Sequence, residues 1–173
     1  IPRAVADYFV PSLPWVGTLF ARCGVVGGSR GNARALLEAG ELLLIFPEGV
    51  PGISKRFRER YQLQKWRPGH CELAMRNRAP VVPVGVVGAE EQMPQLFRIP
   101  VPGPVPHLPI PATLVPLPVK YRIYFGEPIW FHEEMGDDAA DDPECVAQAA
   151  LRVKAAVQEL LHRGLAERKG VFR

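Results

Sequence analysis

The sequence predicts an α/β fold in which a mixed, largely parallel sheet is flanked by helices. Short apolar segments alternate with segments of helical periodicity, the order expected when helices connect the strands of a sheet. A long amphipathic helix ends the chain. Of the 173 residues, 47% are hydrophobic and 23% are charged, which is typical of globular chains and not of disordered ones. We therefore expect residues 1–173 to form a single domain.

Short elements are predicted before the final helix. Helices are expected at residues 13–21, 32–39 and 68–77, and strands at residues 25–26, 42–46, 81–87 and 121–125. Gly40 is a C-terminal stop signal and Pro68 suits a first helical turn. The uninterrupted apolar run at 42–46 predicts a strand that is buried on both faces. Pro83 indicates that the strand at 81–87 contains a bulge or lies at an edge.

The C-terminal helix has the clearest signals. Asp142 is a plausible N-cap, and Pro143 suits the first helical position. One apolar stripe recurs at helical spacing and is predicted to face the core. Its members are Val146, Ala150, Val153, Val157, Leu160 and Leu161.

A proline-rich segment at residues 94–118 interrupts the alternation of helices and strands. It contains nine of the 19 prolines. Because proline has no amide donor, this segment cannot be a helix interior or a central strand. Its other residues are largely apolar, so we expect an extended, ordered excursion that lies on the domain or on a membrane surface.

Charge is unevenly distributed, although the net charge is only +3. Residues 52–78 contain eight basic and two acidic side chains. Such a patch suits an anionic partner, namely phosphate, coenzyme or lipid headgroup, and a solvated surface is the alternative. We expect no nucleic-acid partner.

The sequence also bears on location. Cys23, Cys71 and Cys145 are widely spaced and odd in number, which argues against a disulfide framework and for a reducing compartment. No apolar run approaches the ~20 residues of a membrane-spanning helix, and no signal-peptide pattern is visible. We expect a cytoplasmic protein that associates peripherally with membranes.

The most specific local pattern is Phe46-Pro47-Glu48-Gly49, directly after an apolar strand. Strand ends of this kind are where α/β proteins place ligands. Gly49 allows a ligand to approach the backbone, and Glu48 can accept hydrogen bonds from a loop or a substrate hydroxyl. A tight turn with a solvated glutamate is the alternative interpretation.

These residues, followed by VVPVGV at 81–86, resemble the glycerolipid (lysophospholipid) acyltransferase superfamily. The likeness covers nearly the whole chain and implies a glycerol-3-phosphate acyltransferase-like domain. The proline-rich insert resembles that of bacterial proteins related to neutral-lipid acyltransferases. Four further segments agree: residues 24–30 in the place of the second motif, ARALL at 33–37 before Gly40, GHCELA at 69–74, and FGEPI at 125–129.

The resemblance implies transfer of a fatty acyl group from acyl-CoA or acyl carrier protein to a glycerolipid hydroxyl at a membrane surface. The acyl donor is a co-substrate, and no other cofactor is expected. In the family, a His-x4-Asp motif before the second motif supplies the general base. No histidine precedes His70 here. We expect that motif upstream of Ile1, so that this chain is the C-terminal part of the domain and is inactive alone.

Other histidines offer no better candidate. His132 and Asp137 match the His-x4-Asp spacing, but they follow FGEPI and lie in an acidic run, which indicates a chance match. His70 and Cys71 are neighbours on a predicted helix and point apart. His107 and His162 lack metal-ligand spacing, so no metal site is expected.

The acceptor site departs from a common family pattern. Members that use phosphate-bearing acceptors often have EGTR, whose arginine holds the phosphate, whereas Val50 and Pro51 follow Glu48-Gly49 here. Either Lys55, Arg56 or Arg58 substitutes, or the acceptor is a mono- or diacylglycerol or another lipid alcohol. The basic residues can instead hold the donor's phosphates or the membrane surface. Substrate binding is thus expected at Arg30, Phe46, Pro47, Glu48, Gly49, Lys55 and Arg56.

Two alternative functions remain. One is a non-catalytic lipid- or acyl-carrier-binding pseudoenzyme. The other, a phosphate-handling α/β enzyme, is disfavoured because no glycine-rich phosphate loop follows a strand. Residues 27–31 are the nearest approach to such a loop.

Overall fold

The structure, a computed structural model, describes residues 2–7, 14–100, 107–113 and 115–172. The strands are β1 (Arg3–Ala6), β2 (Val26–Gly27), β3 (Leu43–Ile45), β4 (Val84–Val87), β5 (Gln95–Pro100), β6 (His107–Pro111) and β7 (Arg122–Phe125). The helices are α1 (Val16–Arg22), α2 (Arg30–Glu38), α3 (Val50–Ile53), α4 (Gly69–Arg76), α5 (Ala89–Gln92), α6 (Phe131–Met135) and α7 (Pro143–Glu167). Two 3-10 helices span Phe57–Glu59 and Asp137–Asp141.

The chain divides into two compact units, each assembled from separate stretches of sequence. The first contains Ile1–Gly49, Trp66–Val81 and Trp130–Ala150. The second contains Val50–Lys65, Val82–Ile129 and Leu151–Arg173. The single domain expected from the sequence stays a prediction.

The first unit is built on a parallel sheet of strand order β2–β1–β3. Val5 of β1 is aligned with Val26 on one side and with Ile45 on the other. Helices α2, α4 and α6 accompany this sheet, and α4 buries Cys71, Ala74 and Met75. The predicted α/β class with parallel strands flanked by helices is confirmed.

Strand β3 differs from its prediction. Leu42, Leu44 and Phe46 are exposed, and Phe46 retains 63% of its accessible surface. Side chains two residues apart share a face of a strand, so one face of β3 is uncovered by the described residues. The prediction of burial on both faces is therefore wrong. An apolar run indicates which faces can be buried, but it does not supply the element that covers them.

The second unit contains the antiparallel pair β4–β7, which the described strands form as a sheet separate from β2–β1–β3. Pro83 lies just before β4, where its carbonyl accepts the Gly126 amide at 2.8 Å. Glycines permit very close packing between this pair and α7. A Cβ atom on Gly164 would lie 2.5 Å from the Tyr124 ring, and one on Gly85 would lie 2.8 Å from Leu160 Cβ.

The described parts of the proline-rich segment include two strands, and their pairing was not foreseen. Strands β5 and β6 pair antiparallel, with Arg98 opposite Pro109 and Pro100 opposite His107. A register shift between Gln95 and Phe97 leaves Leu96 as the extra residue of a bulge. We call this two-stranded sheet the β5–β6 ribbon. Residues 101–106 and 114 of the segment lie outside the described residues.

Helix α7 agrees closely with its prediction. It begins at Pro143, and the Asp142 carboxylate accepts the Glu144 amide at 2.8 Å. All six residues of the predicted stripe are buried. The predicted helix at 13–21 is α1, which begins at Val16; residues 8–13 lie outside the described residues.

Within the described ranges, no helix combines the length and the apolar character needed to cross a bilayer. The three cysteines are free thiols.

Candidate functional site

The Phe46-Pro47-Glu48-Gly49 segment forms a closed turn at the end of β3, which we call the 46–49 turn. The Gly49 amide donates to the Phe46 carbonyl at 3.0 Å, and the Arg67 amide donates to the Pro47 carbonyl at 3.1 Å. Gly49 has a φ of 59°, a left-handed conformation that favours glycine. Proline at the second position preorganises the turn. The half-buried Glu48 side chain is thereby held at the strand end.

The 46–49 turn lies at the carboxyl edge of the parallel sheet. Because the three strands are parallel and in register, the residues after β1, β2 and β3 emerge at this same edge. The central strand, β1, has β2 on one side and β3 on the other. This order makes a topological switch point, and ligands of open α/β sheets bind in the crevice there.

Asp7 follows β1 at this edge and was missed by the sequence analysis. Strand β1 itself was not predicted, because Arg3–Ala6 is too short for a clear alternation of apolar and polar residues. An acidic residue directly after a short apolar run near the start of the chain was the only available signal. The edge thus carries two carboxylate residues, Asp7 and Glu48.

The end of β2 approaches β1 closely because of Gly28. A Cβ atom on Gly28 would lie 2.5 Å from the Ala6 carbonyl oxygen, a distance that only glycine avoids. The next residue, Ser29, caps α2 by accepting the Asn32 amide at 3.1 Å. Asn32 Nδ2 also donates to the Gly27 carbonyl at 3.2 Å. This part of the predicted second motif shapes the backbone of the edge.

Arg30, a predicted substrate-binding residue, is the first residue of α2. Its guanidinium forms an ion pair with Glu72 of α4 at 3.2 Å while remaining largely exposed. Glu72 also pairs with Arg76, which contacts Asp141 at 2.7 Å. Arg30 is therefore one member of a surface network of alternating charges.

Lys55 and Arg56, also predicted to bind substrate, belong to the second unit and are engaged with carboxylates there. The Lys55 ammonium is buried and donates to Glu90 at 2.9 Å and to the Gln62 carbonyl at 3.4 Å. Arg56 donates two hydrogen bonds, from Nε and Nη2, to Oε1 of Glu59. Hydrogen bonds from Arg56 lower the pKa of Glu59 to about 2. A bound phosphate would have to compete with these carboxylates.

Lys55 adjoins a larger buried group in the second unit, which we call the Glu91 cluster: Tyr61, Glu91 and Arg168. Glu91 is only 3% exposed, accepts a hydrogen bond from the Tyr61 hydroxyl at 2.8 Å and pairs with Arg168. The Tyr61 hydroxyl in turn accepts the Gly88 amide at 2.8 Å. Burial is the main cause that raises the pKa of Tyr61 to about 12. Part of the basic run around Lys55 therefore forms buried ion pairs and hydrogen bonds within the protein.

The remaining histidine and cysteine candidates are His70, Cys71 and His132. His70 donates from Nδ1 to the Arg67 carbonyl at 2.9 Å, and burial lowers its pKa. Burial raises the pKa of the Cys71 thiol to about 12, so it stays protonated. His132 contacts Trp130 edge to face at 5.8 Å, and the Asp137 side chain lies outside the described residues. Among the residues that the structure describes, no cluster of His, Cys, Asp and Glu could hold a metal ion.

The FGEPI segment follows β7 in the second unit. Gly126, Glu127 and Ile129 line an open groove of about 500 Å³ together with residues of α7. Arg152 and Arg163 oppose Glu127 and Glu159 around this groove, so its rim has no excess of one charge. The groove therefore shows no preference for an anionic ligand.

The chain is similar in sequence to several known proteins. An uncharacterized protein of Mycobacterium leprae is 40% identical to the chain, covering 97% of it and 48% of that protein. An uncharacterized protein of Mycobacterium tuberculosis H37Rv is 38% identical, covering 98% of the chain and 51% of that protein. A Gallus gallus protein named "DGAT1/2-independent enzyme synthesizing storage lipids" is 29% identical, and the match covers 92% of the chain and 46% of that protein. The chain spans about half the length of the curated relatives it matches.

A solved structure and a family profile complete the comparison. The 1-acyl-sn-glycerophosphate (LPA) acyltransferase PlsC from Thermotoga maritima has a similar fold, with a TM-score of 0.58 at 15% identity over 98% of this chain and 58% of that chain. Residues 2–87, about half of the chain, match the profile of the Acyltransferase family and include the parallel sheet and the 46–49 turn. The chain therefore belongs to the Acyltransferase family.

Proposed function

We propose that the protein transfers a fatty acyl group from acyl-CoA or acyl carrier protein to a hydroxyl of a glycerolipid at a membrane surface. The observation that supports this most directly is the 46–49 turn, which holds Glu48 at the switch point of a parallel sheet. Family membership supports the reaction class. We expect the protein to be cytoplasmic and peripheral to the membrane.

The reaction requires a base and a site for the acceptor. A base removes the hydroxyl proton as the oxygen attacks the thioester carbonyl; the C–O bond forms, the C–S bond breaks, and the thiolate leaves with that proton. The base would be the histidine of a His-x4-Asp motif, which the residues before His70 do not contain. In this chain, Glu48 would accept a hydrogen bond from the acceptor and orient it.

The favoured acceptor is a neutral glycerolipid, such as a mono- or diacylglycerol. Val50 and Pro51 provide no cation directly after the 46–49 turn. Lys55 and Arg56, the nearest substitutes in sequence, are already paired with Glu90 and Glu59. The Gallus gallus relative's name, which refers to storage lipids, agrees with a neutral acceptor. Lysophospholipid is the competing acceptor.

An acceptor panel tests this proposal. The natural full-length protein is incubated with labelled acyl-CoA and with monoacylglycerol, diacylglycerol or lysophosphatidate, and the lipid products are separated. We expect product from a neutral acceptor. The double change Val50→Thr with Pro51→Arg should raise the use of lysophosphatidate, and Pro51→Ala is the matched control. A wild-type preference for lysophosphatidate would overturn the neutral assignment.

The same assay separates the enzyme from a non-catalytic lipid- or acyl-carrier-binding protein. We expect this 173-residue chain to give no turnover by itself. Turnover that disappears in His132→Ala would show that the His-x4-Asp match formed by His132 and Asp137 is catalytic. Absence of product from the full-length protein with every acceptor and both donors would favour the binding protein.

A further inference from the structure

We propose that the β5–β6 ribbon is the element that docks the protein on an anionic bilayer, with Leu96 and Phe97 entering the interface between headgroups and acyl chains. The inference rests on the proposed function in that a lipid acceptor requires contact with a membrane. Vesicle binding can nevertheless be measured without turnover.

The first support is the exposure of apolar side chains along β5. Every residue from Leu96 to Pro100 is exposed, and Leu96 and Phe97 retain 59% and 53% of their accessible surface. Phe97 and Ile99 share one face, Arg98 occupies the other, and Leu96 projects from the bulge. Both faces of β5 therefore carry exposed side chains. A flat protein partner would cover one face, whereas a fluid interface surrounds both.

The second support is the position of the prolines. Pro109 and Pro111 of β6 lie opposite Arg98 and Gln95, so two amide donors are absent from an edge strand. Another chain cannot readily add a strand to such an edge. Fewer unpaired donors also lower the cost of moving the ribbon out of bulk water. The prolines thus disfavour strand addition at the β6 edge of the ribbon and suit shallow insertion into lipid.

The third support is charge. Arg98 is exposed on β5, and its charge helps, after Arg56, to hold the pKa of Glu59 in the 3-10 helix Phe57–Glu59 low. Arg58 of that helix is exposed as well, and Phe57 next to it is partly exposed and apolar. Glu59 is neutralised by Arg56, which leaves Arg58 and Arg98 as excess positive charge. Apolar side chains with adjacent arginines are complementary to an anionic bilayer surface.

Co-sedimentation with vesicles tests the docking element. The 173-residue chain is mixed with vesicles of phosphatidylethanolamine that contain increasing amounts of phosphatidylglycerol. The double change Leu96→Glu with Phe97→Glu should weaken binding by at least about tenfold, since two apolar side chains are withheld from lipid. Leu151→Glu, at a residue that is 66% exposed on α7, is the matched control and should bind like the wild type. Leu96→Ala with Phe97→Ala gives a milder variant, and circular dichroism checks folding.

Charge is tested separately. Arg98→Gln should weaken binding to anionic vesicles about fivefold and leave binding to neutral vesicles unchanged. Added salt should reduce the wild-type affinity and reduce this difference, because only the charged part is screened.

Fluorescence can locate the contact. The native tryptophans, Trp15, Trp66 and Trp130, all belong to the first unit, so Phe97→Trp introduces a reporter into the second. Its emission should shift to the blue on vesicles and be quenched by brominated lipids. Leu151→Trp should show neither change.

Three outcomes would overturn the inference: unchanged binding of both double variants, binding that ignores lipid charge and salt, or a self-associated chain that Phe97→Glu converts to monomers. The last would make the ribbon an interface between copies. Failure of the proposed function is distinguishable. If full-length protein binds vesicles through the ribbon but yields no acyl product from acceptors in detergent micelles or vesicles, the function fails and the docking element stands.

Discussion

The 46–49 turn and the Glu91 cluster place charged residues in two different settings. Glu48 is held at a strand end, half-buried, at the edge where open parallel sheets bind ligands. Glu91 is almost fully buried and is bonded to Tyr61 and Arg168. Glu48 lies at an edge where open sheets bind ligands, whereas Glu91 is engaged in a buried hydrogen bond and a buried ion pair. Charge composition along a sequence therefore says little about function until the partner of each charge is known.

Removing Glu91 should cost the most stability. Glu91→Ala leaves Arg168 and the Tyr61 hydroxyl without their carboxylate in a buried site, so we expect a loss of about 3–5 kcal/mol in the free energy of unfolding. Glu38→Ala is the control, because Glu38 forms an exposed ion pair with Arg34 at 2.7 Å and should cost below about 1 kcal/mol. Urea unfolding measures both. Similar losses would mean that the cluster is not a structural core.

Glu48→Gln, in contrast to Glu91→Ala, should reduce turnover and leave stability almost unchanged. Turnover of the full-length enzyme should fall about tenfold to a hundredfold, since a charged hydrogen bond to the acceptor is lost. The free energy of unfolding should change by no more than about 0.5 kcal/mol. Kinetics and urea unfolding on the same preparation give both numbers. Proportionate losses of turnover and of unfolding free energy would show that Glu48 only stabilises the turn.

Gly28→Ala should show whether the close approach of β2 to β1 is required. The new Cβ would meet the Ala6 carbonyl oxygen at 2.5 Å, so we expect a loss of about 1–2 kcal/mol. Gly31→Ala has open space around its Cβ and lies within α2, where alanine is favoured by about 0.5–1 kcal/mol. Opposite signs for the two changes are expected in thermal unfolding. Equal effects would contradict the steric argument.

The smallest effect concerns His70 and pH. Burial lowers the pKa of His70 below its ordinary value of 6.5. At pH values between the lowered pKa and 6.5, the unfolded chain therefore binds more protons than the folded chain. The free energy of unfolding should therefore decrease as pH falls below 6.5. His70→Gln should flatten this dependence between about pH 5 and pH 7. An unchanged slope in the variant would exclude His70 as its source.

Local signals predicted much of this molecule, and non-local pairing accounts for most of what they missed. The α7 stripe and its Asp142 cap follow from spacing along one helix, and the 46–49 turn follows from Pro47 and Gly49. Nothing near Lys55 indicates its partner, Glu90, which lies 35 residues away. The register of the β5–β6 ribbon and the uncovered face of β3 likewise depend on which segments meet.

The site was predictable to a similar extent. The strand-end turn that presents Glu48 was recognisable from the sequence, but Asp7 was not, because β1 is only four residues long. The exposure of Arg30 and the burial of Lys55 could not be distinguished from composition, since both are basic residues in polar stretches.

The distribution of thiols makes the chain its own labelling probe. Cys23 is exposed, Cys145 is half-buried, and Cys71 is buried, with its pKa raised to about 12. Because only the thiolate reacts with alkylating reagents, Cys71 should be modified only when its surroundings open. All three cysteines belong to the first unit. The rate of Cys71 modification would therefore measure how often the surroundings of α4 in the first unit open, without a contribution from thiols of the second unit.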